Sequence, residues 1–380
     1  MADVFGELIG QERVIATLRR AVAGEAHAMT HAWLFVGPPG SGRSNAARAF
    51  AAALQCPRGG CGQCEQCRTT LSGAHPDVTL VRTEQLSIGV DLARSMAGRA
   101  NISPVQGRYQ IVVVEDADRV TERGADALLK ALEEPARQTV WLLCAPTPDD
   151  VIVTIRSRCR VARLVTPSDE AVTKLLMERD GVPEALAAHA ARAAQGHVGR
   201  ARALARSEDA RIRRHEVLTL PGRLKSLTDC IVAAENLVAA ANADADELCA
   251  ELDAKEMAAL QESLGATGRG ARVARHAQAA IRDLEEEQKK RHKRIVRDSL
   301  DRTLTELTSF YRDVLALQTA PHTPLINADL RDVIEPVARR RSPEQTVRAL
   351  DVILDTRTKL EGNVAPQMAF ESLLIGVARS

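Results

Sequence analysis

Three groups of residues in this 380-residue chain combine type and spacing in ways that can do chemistry. The first is Gly37-Pro38-Pro39-Gly40-Ser41-Gly42-Arg43-Ser44. Glycines at this spacing let a backbone turn its N–H groups inward around a phosphate, and a helix opening at the loop's end adds a favourable dipole. Gly37, Gly40 and Gly42 supply the turns, and Ser44 stands where a hydroxyl ligand to magnesium belongs. Arg43 stands where the motif takes lysine. An ammonium is a compact charge, whereas a guanidinium is planar and larger. The loop keeps its shape while its charge is misfitted, so ATP or ADP is expected to bind weakly or without hydrolysis. The second group is Glu115 and Asp116, directly after the apolar run Ile111–Val114. Acids at the end of a strand beside a phosphate loop hold magnesium and polarise water. The usual order is Asp then Glu; here it is reversed, which misplaces each carboxylate by about one methylene where ångström-level placement counts. The third is Cys56-x4-Cys61-x2-Cys64-x2-Cys67. Four thiols within a dozen residues suit tetrahedral zinc, and a site whose four places are all filled by protein is structural.

These residues need elements to hold them. Leu34–Val36 reads as a short strand running into the glycine loop, with a helix over Asn45–Leu54 behind it. Val78–Val81, Ile111–Val114 and Val140–Cys144 read as further strands, and Ala125–Glu134 as a helix closed by Pro135. Strands alternating with helices imply an α/β fold with a parallel sheet. This pattern fills residues 1–165. Over 166–207 strand signals stop and three short helices fit, at 168–180, 183–195 and 197–206, divided by Gly181 and Gly196. Residues 208–380 read as long helices, clearest over Gln278–Thr319, with Gly268-Arg269-Gly270 as the candidate break. Glu285, Glu286 and Glu287 precede Lys289, Lys290 and Arg291 by four residues, the spacing of a solvated helix face, and the basic run Lys289–Arg294 is read the same way.

Hydrophobic residues make up 45% of the chain and aromatics 2%, so its cores must be built from Ala, Val, Leu and Ile. A net charge of +1 argues against a chain that grips nucleic acid alone through a basic surface. The start, Met1 to Phe5, carries no secretory signal pattern, and no stretch reaches the roughly 18 to 20 apolar residues of a membrane span. A cytoplasmic protein without membrane contact is expected. Cys144, Cys159, Cys230 and Cys249 sit in apolar or helical settings and read as buried free thiols.

Taken in order, these features resemble the bacterial DNA polymerase III clamp-loader family of AAA+ proteins. The resemblance is carried by Phe5-Gly6-Glu7-Leu8-Ile9-Gly10-Gln11, the phosphate loop, the four-cysteine knuckle after the loop's helix, and His75-Pro76-Asp77. It continues through Ala127-Leu128-Leu129-Lys130-Ala131-Leu132-Glu133-Glu134-Pro135 and Ser157-Arg158-Cys159. It is strong over about residues 5–205 and rests mostly on helical character beyond. It implies an AAA+ domain with a zinc knuckle, then a three-helix lid, then an all-α collar that holds five subunits together.

The resemblance also implies residue roles. Leu8 and Ile9 would lie near an adenine pocket, and Arg200 would be a second nucleotide sensor. Arg158 would be an arginine finger reaching in trans into a neighbour's ATP site. Ala145 replaces a first-sensor threonine. With Arg43 and the Glu115-Asp116 order, three losses stand beside a retained finger, and this is similar to the delta-prime type of subunit. Such a subunit is a stator without ATPase of its own, working with tau/gamma and delta subunits and, through the complex, with the sliding clamp and primer–template DNA. The long tail of tau-type chains is not expected here. The alternative within the family is an ATP-hydrolysing tau/gamma-type motor. Outside it, a small P-loop kinase sits poorly with the knuckle and the helical third region. A stand-alone zinc-dependent nucleic-acid binder sits poorly with the neutral charge and scarce aromatics.

Overall fold

The computed structural model describes residues 3–82, 87–265, 271–362 and 364–379. They form two compact units, Met1–Arg206 and Ser207–Ser380.

The first unit is built on five parallel strands: β1 (Ala32–Val36), β2 (Val78–Val81), β3 (Gln110–Val114), β4 (Thr139–Ala145) and β5 (Arg160–Arg163). Their order across the sheet is β2-β3-β4-β1-β5. Every residue of β1, β3 and β4 is buried, as central parallel strands covered on both faces must be. Alternate residues serve opposite cores. Trp33, Phe35, Ile111, Val113, Leu142 and Cys144 face α1 (Glu12–Val22) and α2 (Arg43–Gln55). The small faces of the alanine-rich α2 (Ala46, Ala47, Ala49 to Ala53) let it approach the sheet closely, with Phe50 edge-on to Trp33 at 5.1 Å. On the other face Leu34, Val112, Val114, Trp141 and Leu143 pack among residues of α4 (Val90–Ala100) and α5 (Glu122–Glu133). A short α3 (Glu65–Ser72) follows the knuckle and α6 (Val153–Arg156) precedes β5.

Strand β5 is an addition to the four strands expected. Its sequence, Arg160-Val161-Ala162-Arg163, looks too polar for a strand. At the sheet edge it needs one inward residue, Ala162, while Arg160 lies over the Trp33 ring at 5.2 Å and donates to the Ala28 carbonyl at 2.7 Å.

Three helices complete this unit: α7 (Asp169–Asp180), α8 (Glu184–Ala194) and α9 (Val198–Arg206). Ser168 caps α7 by accepting from the Ala171 N–H at 3.2 Å. Gly181 and Gly196, at φ +68 and +81, make the turns between helices. In contact terms these helices are part of the first unit.

The second unit comprises α10 (Glu208–Thr219), α11 (Leu227–Gly265), α12 (Ala271–Thr319), α13 (Arg331–Arg340), α14 (Pro343–Glu361) and α15 (Pro366–Arg379). Leu300, Leu304, Leu307, Phe310, Tyr311 and Val314 form the buried stripe of α12, and Phe370, Leu373 and Leu374 of α15 pack on the same core. Gly268-Arg269-Gly270 lies outside the described residues.

Two expectations change. Arg291 is not on a solvated face: it reaches from α12 to α11, pairing with Asp253 at 2.8 Å and with Glu256. His292 beside it meets Asp246 at 2.9 Å, so the basic run partly serves helix pairing. Cys144, Cys230 and Cys249 are buried free thiols, but Cys159 is half-buried. It sits in the turn between α6 and β5 with its Sγ against the Ile155 carbonyl at 3.3 Å. Burial pushes that thiol up to about 12.

Candidate nucleotide site and metal centre

The phosphate loop leaves the C-terminal end of β1, the usual place for a ligand site in a parallel sheet. Its first residue is anchored to the neighbouring strand, because the Gly37 N–H donates to the Pro146 carbonyl at 3.0 Å. Gly40 and Gly42 take φ +84 and +88, in the left-handed region that glycine enters without strain, and Gly42 is the N-cap of α2. A Cβ on Gly37 would stand 2.6 Å from Ser41 Oγ and 2.8 Å from the Leu164 carbonyl. The loop is therefore tightly built. Ser41 Oγ is buried and has no hydrogen-bond partner among the described residues. Ser44 is half-buried in the first turn of α2.

Arg43 is turned back on the loop, its Nη1 donating to the Gly37 carbonyl at 2.9 Å. Leu8 is buried and reaches the loop from the N-terminal side, its Cδ2 being 3.9 Å from a Cβ placed on Gly42; Ile9 is half-buried next to it. From the turn between α8 and α9, the His197 ring lies on Gly40, where a Cβ would stand 2.4 Å from its Cγ. Burial, then the charge of Arg200, holds His197 below its ordinary range, and its Nδ1 accepts the Arg200 N–H at 3.2 Å. Arg200 lies in the first turn of α9, three residues after His197.

Glu115 and Asp116 follow β3, adjacent to β4, which pairs with β1. Glu115 is already engaged. Arg48 of α2 donates Nε and Nη2 to Oε1 at 3.0 and 2.5 Å, and Arg82, one residue past β2, donates to Oε2 at 2.8 Å. Asp116 begins a 3-10 turn, Ala117–Arg119. Burial raises the Asp118 carboxyl in that turn. Ala145 ends β4, buried, with a methyl where a hydroxyl was sought. Sequence reasoning missed Arg48 and Arg82. The available signal was their placement: Arg48 is four residues along the helix from Ser44, and Arg82 follows the strand beside β3.

Arg158 has its partners elsewhere. Its guanidinium pairs with Glu133 at the end of α5 and donates to the Thr154 carbonyl at 2.6 Å and Ser157 Oγ at 3.2 Å.

The four cysteines converge: Sγ atoms of Cys56, Cys61, Cys64 and Cys67 all lie within 4.8 Å of one another. Cys56 Sγ is 3.7 Å from both Cys61 Sγ and Cys64 Sγ. Four sulfurs at about 2.3 Å from a tetrahedral zinc stand about 3.8 Å apart, so the set fits such an ion. Backbone N–H groups of Gln63 and Cys64 draw the Cys61 thiol down to about 6. Burial opposes ionisation of Cys56, yet the N–H groups of Cys61, Gly60 and Arg58 leave it below the ordinary thiol range. Burial raises Cys67. Metal ligation uses thiolates, and the lowering of Cys61 and Cys56 favours that form.

The His75-Pro76-Asp77 triplet organises loops around this centre. His75 Nε2 pairs with Gln66 of α3 and its Nδ1 accepts the Asp77 N–H at 3.0 Å. Asp77 accepts from the N–H groups of Val105 (2.8 Å), Gln106 (2.8 Å) and Gly107 (2.5 Å), which fixes the approach to β3.

A family model described as DNA polymerase III, delta subunit, matches residues 10–168. Over these residues the chain is similar to subunits of the DNA polymerase III clamp loader. The delta-prime subunit of Escherichia coli is 36% identical over 200 residues, covering 51% of this chain and 58% of its own length. The delta-prime subunit of Pseudomonas aeruginosa is 38% identical over 135 residues (34% of this chain, 41% of its own). The gamma/tau subunit of Mycobacterium tuberculosis is 38% identical over 186 residues (47% of this chain, 32% of its own). The chain therefore spans roughly a third to three-fifths of the length of these relatives. A gamma-subunit-related protein of Thermotoga maritima aligns over 96% of this chain and 98% of its own at 18% identity, with a TM-score of 0.43. The clamp-loader match contains the phosphate loop, the knuckle, His75-Pro76-Asp77 and Ser157-Arg158-Cys159. Among the described residues no helix is long and apolar enough to cross a membrane.

Proposed function

We propose that the chain is a delta-prime-type subunit of the DNA polymerase III clamp loader, a stator that does not turn over ATP at its own loop. The observation that carries this is Glu115. A carboxylate whose two oxygens already accept from Arg48 and Arg82 is charge-balanced by them and less available to magnesium. Arg43 folded on Gly37 and the methyl of Ala145 support the same reading. Leu8 and Ile9 would wall an adenine side, Gly37, Gly40, Gly42 and Ser44 would cradle phosphates, and Asp116 and Arg200 would face them. ATP or ADP held there would be a static ligand.

Arg158 is the residue proposed to act, as a finger on the γ-phosphate in a neighbouring tau/gamma subunit's site, where a fixed positive charge stabilises the transition state. Its cradle of Glu133, Thr154 and Ser157 supports this by fixing the guanidinium at the end of α6. Cys56, Cys61, Cys64 and Cys67 would hold one structural zinc. Residues 1–165, 166–207 and 208–380 would act as AAA+ domain, lid and collar. The collar would join tau/gamma and delta subunits into a hetero-pentamer that loads the sliding clamp on primer–template DNA in the cytoplasm.

A tau/gamma-type motor is the second reading, favoured by the Mycobacterium tuberculosis gamma/tau match over 186 residues. ATP hydrolysis by the chain alone, then mixed with tau/gamma and delta partners, separates the two. A silent chain that raises its partners' rate, with Arg158→Ala abolishing that rise while assembly persists, is the stator. Turnover by the isolated chain is the motor.

A further inference from the structure

The cysteine knuckle touches both elements that approach the phosphate loop from its side of the sheet. One is α2. It begins at the loop with Arg43 and ends at Gln55, and its C-cap is Cys56, whose N–H donates to the Ala52 carbonyl at 3.0 Å. Cys67 Sγ lies 3.9 Å from that same carbonyl. The other is the N-terminal 3-10 turn, Val4–Glu7, which leads into Leu8. The Val4 N–H donates to the carbonyl of Gly60, between Cys56 and Cys61, at 3.1 Å. Gly60 takes φ +109, and a Cβ there would stand 2.7 Å from Val4 Cγ2 and 3.2 Å from Ala53 Cβ. The knuckle backbone is therefore pressed between the N-terminal turn and α2. Val4, Phe5, Leu8, Ala53, Leu54, Cys56 and Cys67 share one core.

We propose that the metal-bound knuckle is a clamp that holds the N-terminal turn against α2 and so keeps Leu8 at the phosphate loop, through the Gly60–Val4 contact. The segment from Cys56 to Cys61 has no helix or strand of its own, and both Gly59 and Gly60 are left-handed. Its Gly59 N–H donates to the Cys56 carbonyl at 3.0 Å and the Arg58 and Cys61 N–H groups donate to Cys56 Sγ at 3.4 Å, so its course follows from where Cys56 and Cys61, its two end thiols, are held. Without a cation joining them, the Gly60 carbonyl loses its position and the Val4 N–H its acceptor. The rival account is that burial of Phe5 alone seats the turn and the knuckle is a separate module. The inference goes beyond the stator reading and does not involve Arg158 or any partner subunit.

Hydrogen exchange on the full chain, zinc-loaded and then stripped with a chelator under reducing conditions, tests it. Exchange over residues 3–9 should quicken by roughly tenfold, the loss of about one hydrogen bond with its local packing, while β3 stays protected. Unchanged exchange over 3–9 overturns the clamp. If stripping unfolds the whole unit, Gly60→Ala decides, since it keeps all four thiols. That variant should retain one zinc per chain by metal analysis and still show the faster exchange over 3–9. A variant with zinc retained and an unaltered turn overturns the proposal.

Discussion

Arg48 donates both Nε and Nη2 to a single oxygen of Glu115, from a position one turn inside the helix that the phosphate loop feeds. The two side chains are 19% and 12% exposed, so the pair is largely out of water. Removing one partner of such a pair strands the other. Arg48→Ala should cost about 2 kcal/mol in urea unfolding, above a surface pair because the site is largely out of water but below a fully stranded charge because Arg82 remains on the other oxygen. An effect under about 0.5 kcal/mol would class the pair with ordinary surface contacts.

The same pair bears on catalysis. Arg43→Lys restores the compact charge the loop lacks, but it leaves Glu115 held by Arg48 and Arg82 and leaves Ala145 without a hydroxyl. The expected result is tighter ADP binding with no gain of hydrolysis by the isolated chain. Nucleotide titration and steady-state turnover of the one variant read both. Appearance of turnover would place the whole defect in Arg43.

Acid sensitivity should trace to Asp77. Burial works against its ionisation, yet the three N–H groups of Val105, Gly107 and Gln106, with His75, hold its carboxyl below the usual carboxylate range. A carboxyl lowered by folding stabilises fully above its unfolded value of about 4, and that stability is lost as pH falls through the lower folded value. His75, lowered by burial, adds a loss of the same sign as pH falls below about 6.5. Urea midpoints measured from pH 7 down to pH 3 should fall in two stages. Asp77→Asn should flatten the lower one and deepen the upper one, because the Asp77 charge partly offsets the lowering of His75.

Much of this architecture is legible in the sequence because its signals are local. Ile111–Val114 and Val140–Cys144 are unbroken apolar runs, the mark of a strand covered on both faces, and Gly181 and Gly196 punctuate α7, α8 and α9 where the chain turns left-handed. The cysteine spacing predicts a cluster that the fold closes. What escaped depends on neighbours distant in sequence. Arg160-Val161-Ala162-Arg163 becomes a strand because β1 offers an open edge, and one inward alanine suffices there. The partners of Glu115 come from α2 and from the end of β2, 67 and 33 residues away, and no periodicity announces them. Arg291 likewise looks solvated until α11 is laid beside it.

Gly40 should tolerate no side chain. Its φ of +84 strains any L residue, and the His197 ring occupies the space a Cβ needs. Gly40→Ala is expected to cost about 2 kcal/mol and to loosen α9, whose first turn His197 caps. Trypsin cleavage among Arg200, Arg202 and Arg206 reports on that helix directly. Faster cleavage there with unchanged cleavage elsewhere is the expected pattern, whereas His197→Gly in the same background should recover part of the loss by vacating the space. Failure of that rescue would mean that backbone strain at Gly40, together with the lost His197 cap, outweighs the space released.

In the second unit the critical buried charge is Asp313. It is fully buried on α12, and its carboxylate accepts the N–H groups of Ile326 at 3.0 Å and Asn327 at 2.7 Å, Asn327 Nδ2 at 2.9 Å and Arg312 at 2.8 Å. It therefore folds the segment between α12 and α13 back onto α12. Asp313→Ala leaves the Ile326 and Asn327 N–H groups without their acceptor and Asn327 Nδ2 with Ser309 Oγ alone, which should cost about 3 kcal/mol. The two units have separate cores, so the loss should appear as earlier unfolding of α12 and α15 while β3 and β4 keep their protection. Hydrogen exchange resolved by peptide distinguishes this from a uniform loss. If β3 and α12 lose protection together, the two units unfold as one cooperative body.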